Sequence, residues 1–237
     1  MSLERFFGPG FHLASAASHA AMEGFPRTAL AVHEGQPCHL HAHLHRLQEA
    51  AAALHHSGDW VESLGPEITA QISVWMSRSD AVPSAALRLA LQPEFGFLRV
   101  RLESLPGISQ PYLLAPMPHP LAHRQGDPLL RHKGLGGPWS TAALAEARTL
   151  GAADALLLWA DGTLAETAIA AVGVERDGVL TVPPPEGRVA SLAEQLDLPH
   201  WAAQRGLQVE VGPLALPQHG QIWCMNALRG IWKAQLA

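Results

Sequence analysis

The chain has 237 residues, 48% of them hydrophobic, which is enough to bury a core as one large domain or two modest ones without covalent staples. Its net charge of −5, with basic residues scattered singly, leaves no stripe for tracking nucleic-acid phosphates. Cys38 and Cys224 have no disulfide or metal spacing, no stretch nears the ~20 apolar residues that span a bilayer, and the opening MSLERFFGPGFHL lacks signal-peptide order, so a reducing cytoplasm away from membranes is expected.

In chain order, TALAVHEGQPCHLH reads as two short strands around a turn at Glu34-Gly35. HLHRLQEAAAALHHSG reads as a helix, with Leu44, Leu47, Ala51 and Leu54 at three- and four-residue spacing and a stop at Ser57-Gly58. A second helix is expected from Pro66 through Ile68, Ile72 and Trp75. The period then changes to two: Leu87, Leu89 and Leu91 share one face, as do Leu98, Val100 and Leu102 across PEFG, which predicts a hairpin with one buried face. Residues 116–128 are rich in proline, histidine and glycine without periodicity and read as a linker, which divides the chain into 1–115 and 129–237. Beyond it come a helix over 140–150, strands at ALLLW, TAIAAVGV and VLTV, the helical pair SLAEQL and PHWAAQRG, and strands LQVEV and QIWCM. Strands and helices mixed in two blocks make the fold class α/β or α+β.

Three local features carry possible chemistry. His39, His41, His43 and His45 alternate, which on a strand would line up imidazoles for zinc; the helical pattern that follows would scatter them, and no metal site is assigned. Only Lys133 and Lys233 are lysines, so chemistry needing a lysine amine has two candidates, and Lys133 lies beside the glycines of GLGG. Such an amine is a nucleophile only when neutral, a form that burial favours, although the same context suits a surface loop. Glu166 lies in the apolar run LAETAIAAV, where a buried carboxylate needs a partner; a solvent-facing strand end is the alternative.

In order, Val32, Glu34, Gly35, Leu40, His43, Leu44, Arg46 and Leu47, then Lys133, then GAADALLLWADGTLAE ending in Glu166, then DGVLTVP and MNALRGI, resemble the class IV aminotransferase and aminodeoxychorismate lyase family. The resemblance implies a smaller N-terminal α/β domain, a larger C-terminal domain, pyridoxal 5'-phosphate as cofactor, a homodimer, and a small amino compound as substrate. It implies that Lys133 carries the cofactor and shuttles the α-proton, that Glu166 pairs with the pyridine nitrogen, and that Arg46 meets the phosphate. The family's phosphate turn falls on Ser191-Leu192-Ala193, so the Leu192 and Ala193 amides remain without a threonine hydroxyl. A second hydroxyl donor falls on Ala227, an asparagine on Ala171, and the usual glycine-rich stretch is unrecognisable around EGFPRT. The reaction implied is transamination or lyase-type elimination; the erosion of the phosphate cup leaves a non-catalytic homologue that binds a ligand or partner as the alternative.

Overall fold

A computed structural model describes residues 3–8, 25–78, 84–92, 96–189 and 191–237. Most of the opening MSLERFFGPGFHL, Glu23-Gly24 of EGFPRT and Pro93–Phe95 of the expected PEFG turn lie outside the described residues. The chain divides into two compact units, Met1–Pro106 with His132–Leu135, and Gly107–Arg131 with Gly136–Ala237.

The first unit is built on β1 (Leu3–Phe7), β2 (Arg27–His33), β3 (Gln36–Pro37), β4 (Ser84–Gln92) and β5 (Phe97–Ser104), paired antiparallel in the order β1-β5-β4-β2-β3. The β4–β5 register sets Leu87 opposite Leu102, Leu89 opposite Val100 and Leu91 opposite Leu98, so the period-two pattern becomes one continuous apolar face. Helices α1 (Leu40–Ala53) and α2 (Gly65–Arg78) contribute Leu44, Leu47, Ile68, Ile72 and Trp75 to the same core. Each such side chain contributes roughly 1.5–3 kcal/mol of burial. Helix α1 starts three residues before the expected 43–58 span and ends at Ala53, where His55 turns left-handed with φ 60°. At the β2–β3 turn Glu34 and Gly35 both have positive φ, 51° and 78°, as a two-residue hairpin turn demands.

The second unit holds an eight-stranded sheet in the order β11-β10-β9-β12-β13-β6-β7-β8. Its strands are β6 (Leu113–Pro118), β7 (Asp154–Leu158), β8 (Leu164–Thr167), β9 (Ala171–Arg176), β10 (Val179–Val182), β11 (Gln208–Val211), β12 (Gln221–Asn226) and β13 (Gly230–Leu236). Helix α3 (Trp139–Thr149) connects the parallel neighbours β6 and β7, a link that parallel pairing requires. It turns Ala143 and Ala147, one helical turn apart, inward.

Two expectations are corrected and a third, the helical pair, is sharpened. Residues 116–118 are not linker but the end of β6, and residues 107–131 belong to the second unit. Pro116 and Pro118 fall in a stretch of β6 that pairs with β7, Pro116 opposite Leu156 and Pro118 opposite Leu158. TAIAAVGV is not one strand: β8 ends at Thr167, the chain turns, and β9 begins at Ala171. SLAEQL gives a single π-helical turn, Ala193–Asp197, leading into α4 (Leu198–Ala203).

Candidate functional site

In the second unit, Glu166 sits on β8 between buried residues and is itself 5% exposed. Its Oε1 accepts the Val189 amide at 3.3 Å. The turn that follows is tied by the Thr167 amide on the Ala170 carbonyl, 2.8 Å, and by the Ala170 amide on the Thr167 hydroxyl, 2.8 Å. Asp154, fully buried at the start of β7, grips this turn. Its Oδ1 accepts the Ala155 and Ala168 amides at 2.8 and 3.2 Å, and the Tyr112 hydroxyl donates to Oδ2 at 3.2 Å. Burial pushes the Asp154 carboxyl up to about 6, against the pull of bonds from the Thr167 hydroxyl, the Ala155 amide, Tyr112 and the Ala168 amide.

Two further segments meet this end of the unit. The Ser191 hydroxyl donates to the Met225 carbonyl at 3.5 Å, and Ala193 is fully buried with Trp223 and Met225 in one core cluster. Arg188 braces the approach to Ser191: its guanidinium holds Glu194 bidentately at 2.8 and 2.7 Å and the carbonyls of Pro183 and Pro184 at 2.6 and 3.0 Å. A buried guanidinium with those partners is committed to structure. Asn226, at the end of β12, accepts the Leu228 and Arg229 amides at 3.1 and 2.9 Å and so shapes the turn that carries Ala227. The structure thus brings Glu166, Leu192, Ala193 and Ala227 to connected segments of one unit.

Lys133 and Arg46 belong to the first unit. The Lys133 carbonyl accepts the Arg27 amide at 3.0 Å, which ties its turn to the start of β2. Next to it Gly134 has φ 106°, and a Cβ there would lie 2.1 Å from the Phe25 carbonyl oxygen, so only glycine fits. Beside Arg27, the Thr28 hydroxyl is 2.6 Å from His43 Nδ1, and both side chains are buried. His43 is held down to about 3 by burial first, and then by the positive charges of Arg46, Lys133 and His39. The charges of the two basic residues singled out in the sequence therefore both bear on one neutral histidine.

The histidine run is dispersed as helical geometry requires. His39 precedes α1 in a left-handed conformation, His43 is buried, His41 and His45 are exposed, and His45 Nδ1 meets Glu62 Oε1 at 2.5 Å. Among the described residues no group of three or more histidine, cysteine or acidic side chains is gathered for a metal, and no helix is long and apolar enough to cross a membrane. Asp154, Arg188 and Thr28 gave no local signal; Asn226 lay within MNALRGI, but its bonds reach across the chain.

The fold belongs to a defined class. The model of the class IV amino-transferase family matches residues 27–236, and the chain belongs to that family, whose cofactor is pyridoxal 5'-phosphate. A fold IV transaminase from Curtobacterium pusillum superposes with a TM-score of 0.80 at 20% identity, covering 99% of this chain and 92% of that one. The PLP-bound form of a hypothetical aminotransferase from Mycobacterium tuberculosis gives 0.78 at 18% identity, covering 99% and 91%. A 4-amino-4-deoxychorismate lyase, described as putative in its own structure, gives 0.74 at 23% identity, covering 96% and 91%. No curated protein sequence matches.

Proposed function

We propose that the protein is a pyridoxal-phosphate-dependent enzyme acting on a small amino compound, by transamination or by elimination of the aminodeoxychorismate-lyase type. What supports this reading is the set of groups found within each unit: Glu166, Leu192, Ala193 and Ala227 on connected segments of the second, and Lys133 and Arg46, whose charges both bear on His43, in the first. The donor set suits the cofactor. Glu166 is a buried carboxylate able to keep a pyridine nitrogen protonated, Lys133 supplies an amine on a turn held by backbone, and Arg46 supplies a cation for phosphate. When bound, the cofactor supplies an electron sink. Lys133 would then hold it covalently and move the substrate's α-proton through Nζ, while the Leu192 and Ala193 amides and the Ala227 turn border the phosphate.

A homodimer in the cytoplasm is part of the same reading. The absence of hydroxyls at Ala193 and Ala227 favours a second reading, a non-catalytic homologue that binds a ligand or partner. The test is the visible spectrum after incubation with pyridoxal phosphate. A band at roughly 410–430 nm, lost in Lys133→Ala and kept in Lys233→Ala, supports the enzyme reading. No band in the parent protein supports the second.

A further inference from the structure

We infer that Asn226 is a positioning residue, a strut that fixes the turn after Glu166 to the turn carrying Ala227 so that the two keep one spacing. Its amide works in both directions. Nδ2 donates to the Ile169 carbonyl at 3.2 Å, in the 167–170 turn that directly follows Glu166. Oδ1 accepts the amides of Leu228 and Arg229 at 3.1 and 2.9 Å, in the turn that begins with Ala227. Asn226 pairs with Gly230 in the β12–β13 register, and Gly230 has a left-handed φ of 70°, so the intervening residues form a tight loop.

The 167–170 turn is thereby held from two sides, by Asp154 through the Ala168 amide at 3.2 Å and by Asn226 through the Ile169 carbonyl. The Asp154 grip ties the turn to the start of β7 and, through Tyr112, to the entry of β6, whereas the Asn226 grip reaches the β12–β13 loop. A planar group that donates to one turn and accepts from the other is what asparagine offers; aspartate only accepts, and alanine does neither. The functional meaning rests on the cofactor reading above, in which Glu166 meets the ring nitrogen and the Ala227 turn borders the phosphate. A rigid ligand touching both ends is sensitive to the spacing between them.

Asn226→Asp separates a strut from a simple cap, because the carboxylate still accepts from Leu228 and Arg229 but cannot donate to Ile169. Hydrogen exchange on the cofactor-free protein should show roughly threefold to tenfold faster exchange at residues 168–170 in Asn226→Asp, with Leu228 and Arg229 still protected; Asn226→Ala should loosen both turns. In a pyridoxal-phosphate titration, Asn226→Asp should bind about tenfold more weakly, and the gain expected from Ala227→Thr should shrink in that background. Unchanged exchange at 168–170 in Asn226→Asp overturns the strut, as does an Ala227→Thr effect of equal size in both backgrounds. If the parent protein binds no pyridoxal phosphate, the cofactor reading fails while the exchange measurement still decides the strut.

Discussion

The candidate residues fall into two halves, one in each unit, that are held by different means. In the first unit burial, and then the charges of Arg46 and Lys133, hold the buried His43 neutral. Around Glu166 the polar groups are braced geometrically: Asp154, Asn226 and Arg188 each bind at least two separate backbone groups. The first half is governed by charge and should respond to pH, whereas the second is governed by hydrogen-bond geometry and should respond to the loss of particular donors and acceptors.

The largest expected effect breaks the charge-governed half with acid. Because the folded value of His43 lies below the ordinary 6.5, its contribution is fully present above pH 6.5 and is lost as pH falls through about 3, where the unfolded chain binds a proton that the folded one refuses. The full span is on the order of 5 kcal/mol, so His43→Phe should flatten the acid limb of a stability-versus-pH curve followed by chemical denaturation. Arg188→Ala attacks the braced half by leaving Glu194 without its partner and should cost about 3–5 kcal/mol in the same assay. Arg188→Met with Glu194→Leu should recover most of that loss.

Asp154 shows that bracing too carries a titration, of opposite sign. Its folded value of about 6 exceeds the ordinary 3.8, so its contribution is fully present below pH 3.8 and lost as pH rises through 6. Asp154→Asn should remove that slope, on the order of 3 kcal/mol, from the unfolding curve between those limits. The smallest effects concern ligand affinity. In titrations with pyridoxal phosphate, Arg46→Ala should weaken binding by about tenfold or more, beyond any comparable arginine change nearby, and Ala227→Thr should strengthen it several-fold. Unchanged affinity in both would place the phosphate elsewhere.

The elements that were legible in the sequence are those whose cause is local. Leu87, Leu89 and Leu91 declare a half-buried strand by period alone, and Glu34-Gly35 declares its turn by what positive φ tolerates. The features that were not legible have distant causes. β6 lies between two parallel neighbours, β13 and β7, in a mixed sheet, its sequence LLAPMP shows no hydrophobic alternation, and it carries two prolines. The break at Thr167–Ala170 interrupts a run that reads as continuous strand, and it depends on Asp154, thirteen residues upstream of Thr167. Lys133 and Glu166 could be singled out because lysine is scarce in this chain and a carboxylate is costly in an apolar run, whereas Arg46 was reached only through the family resemblance. The roles of Asn226 and Thr28 depend on which strand ends meet, information that no local window contains.

The central claim is that Lys133 is the amine that holds the cofactor. Incubation with pyridoxal phosphate, borohydride reduction and peptide mapping by mass spectrometry reads this out directly, since Lys133 and Lys233 are the only lysines. The account predicts a pyridoxyl adduct on Lys133 and none on Lys233. An adduct on Lys233 or on the N-terminal amine alone, or no specific adduct at all, would contradict it.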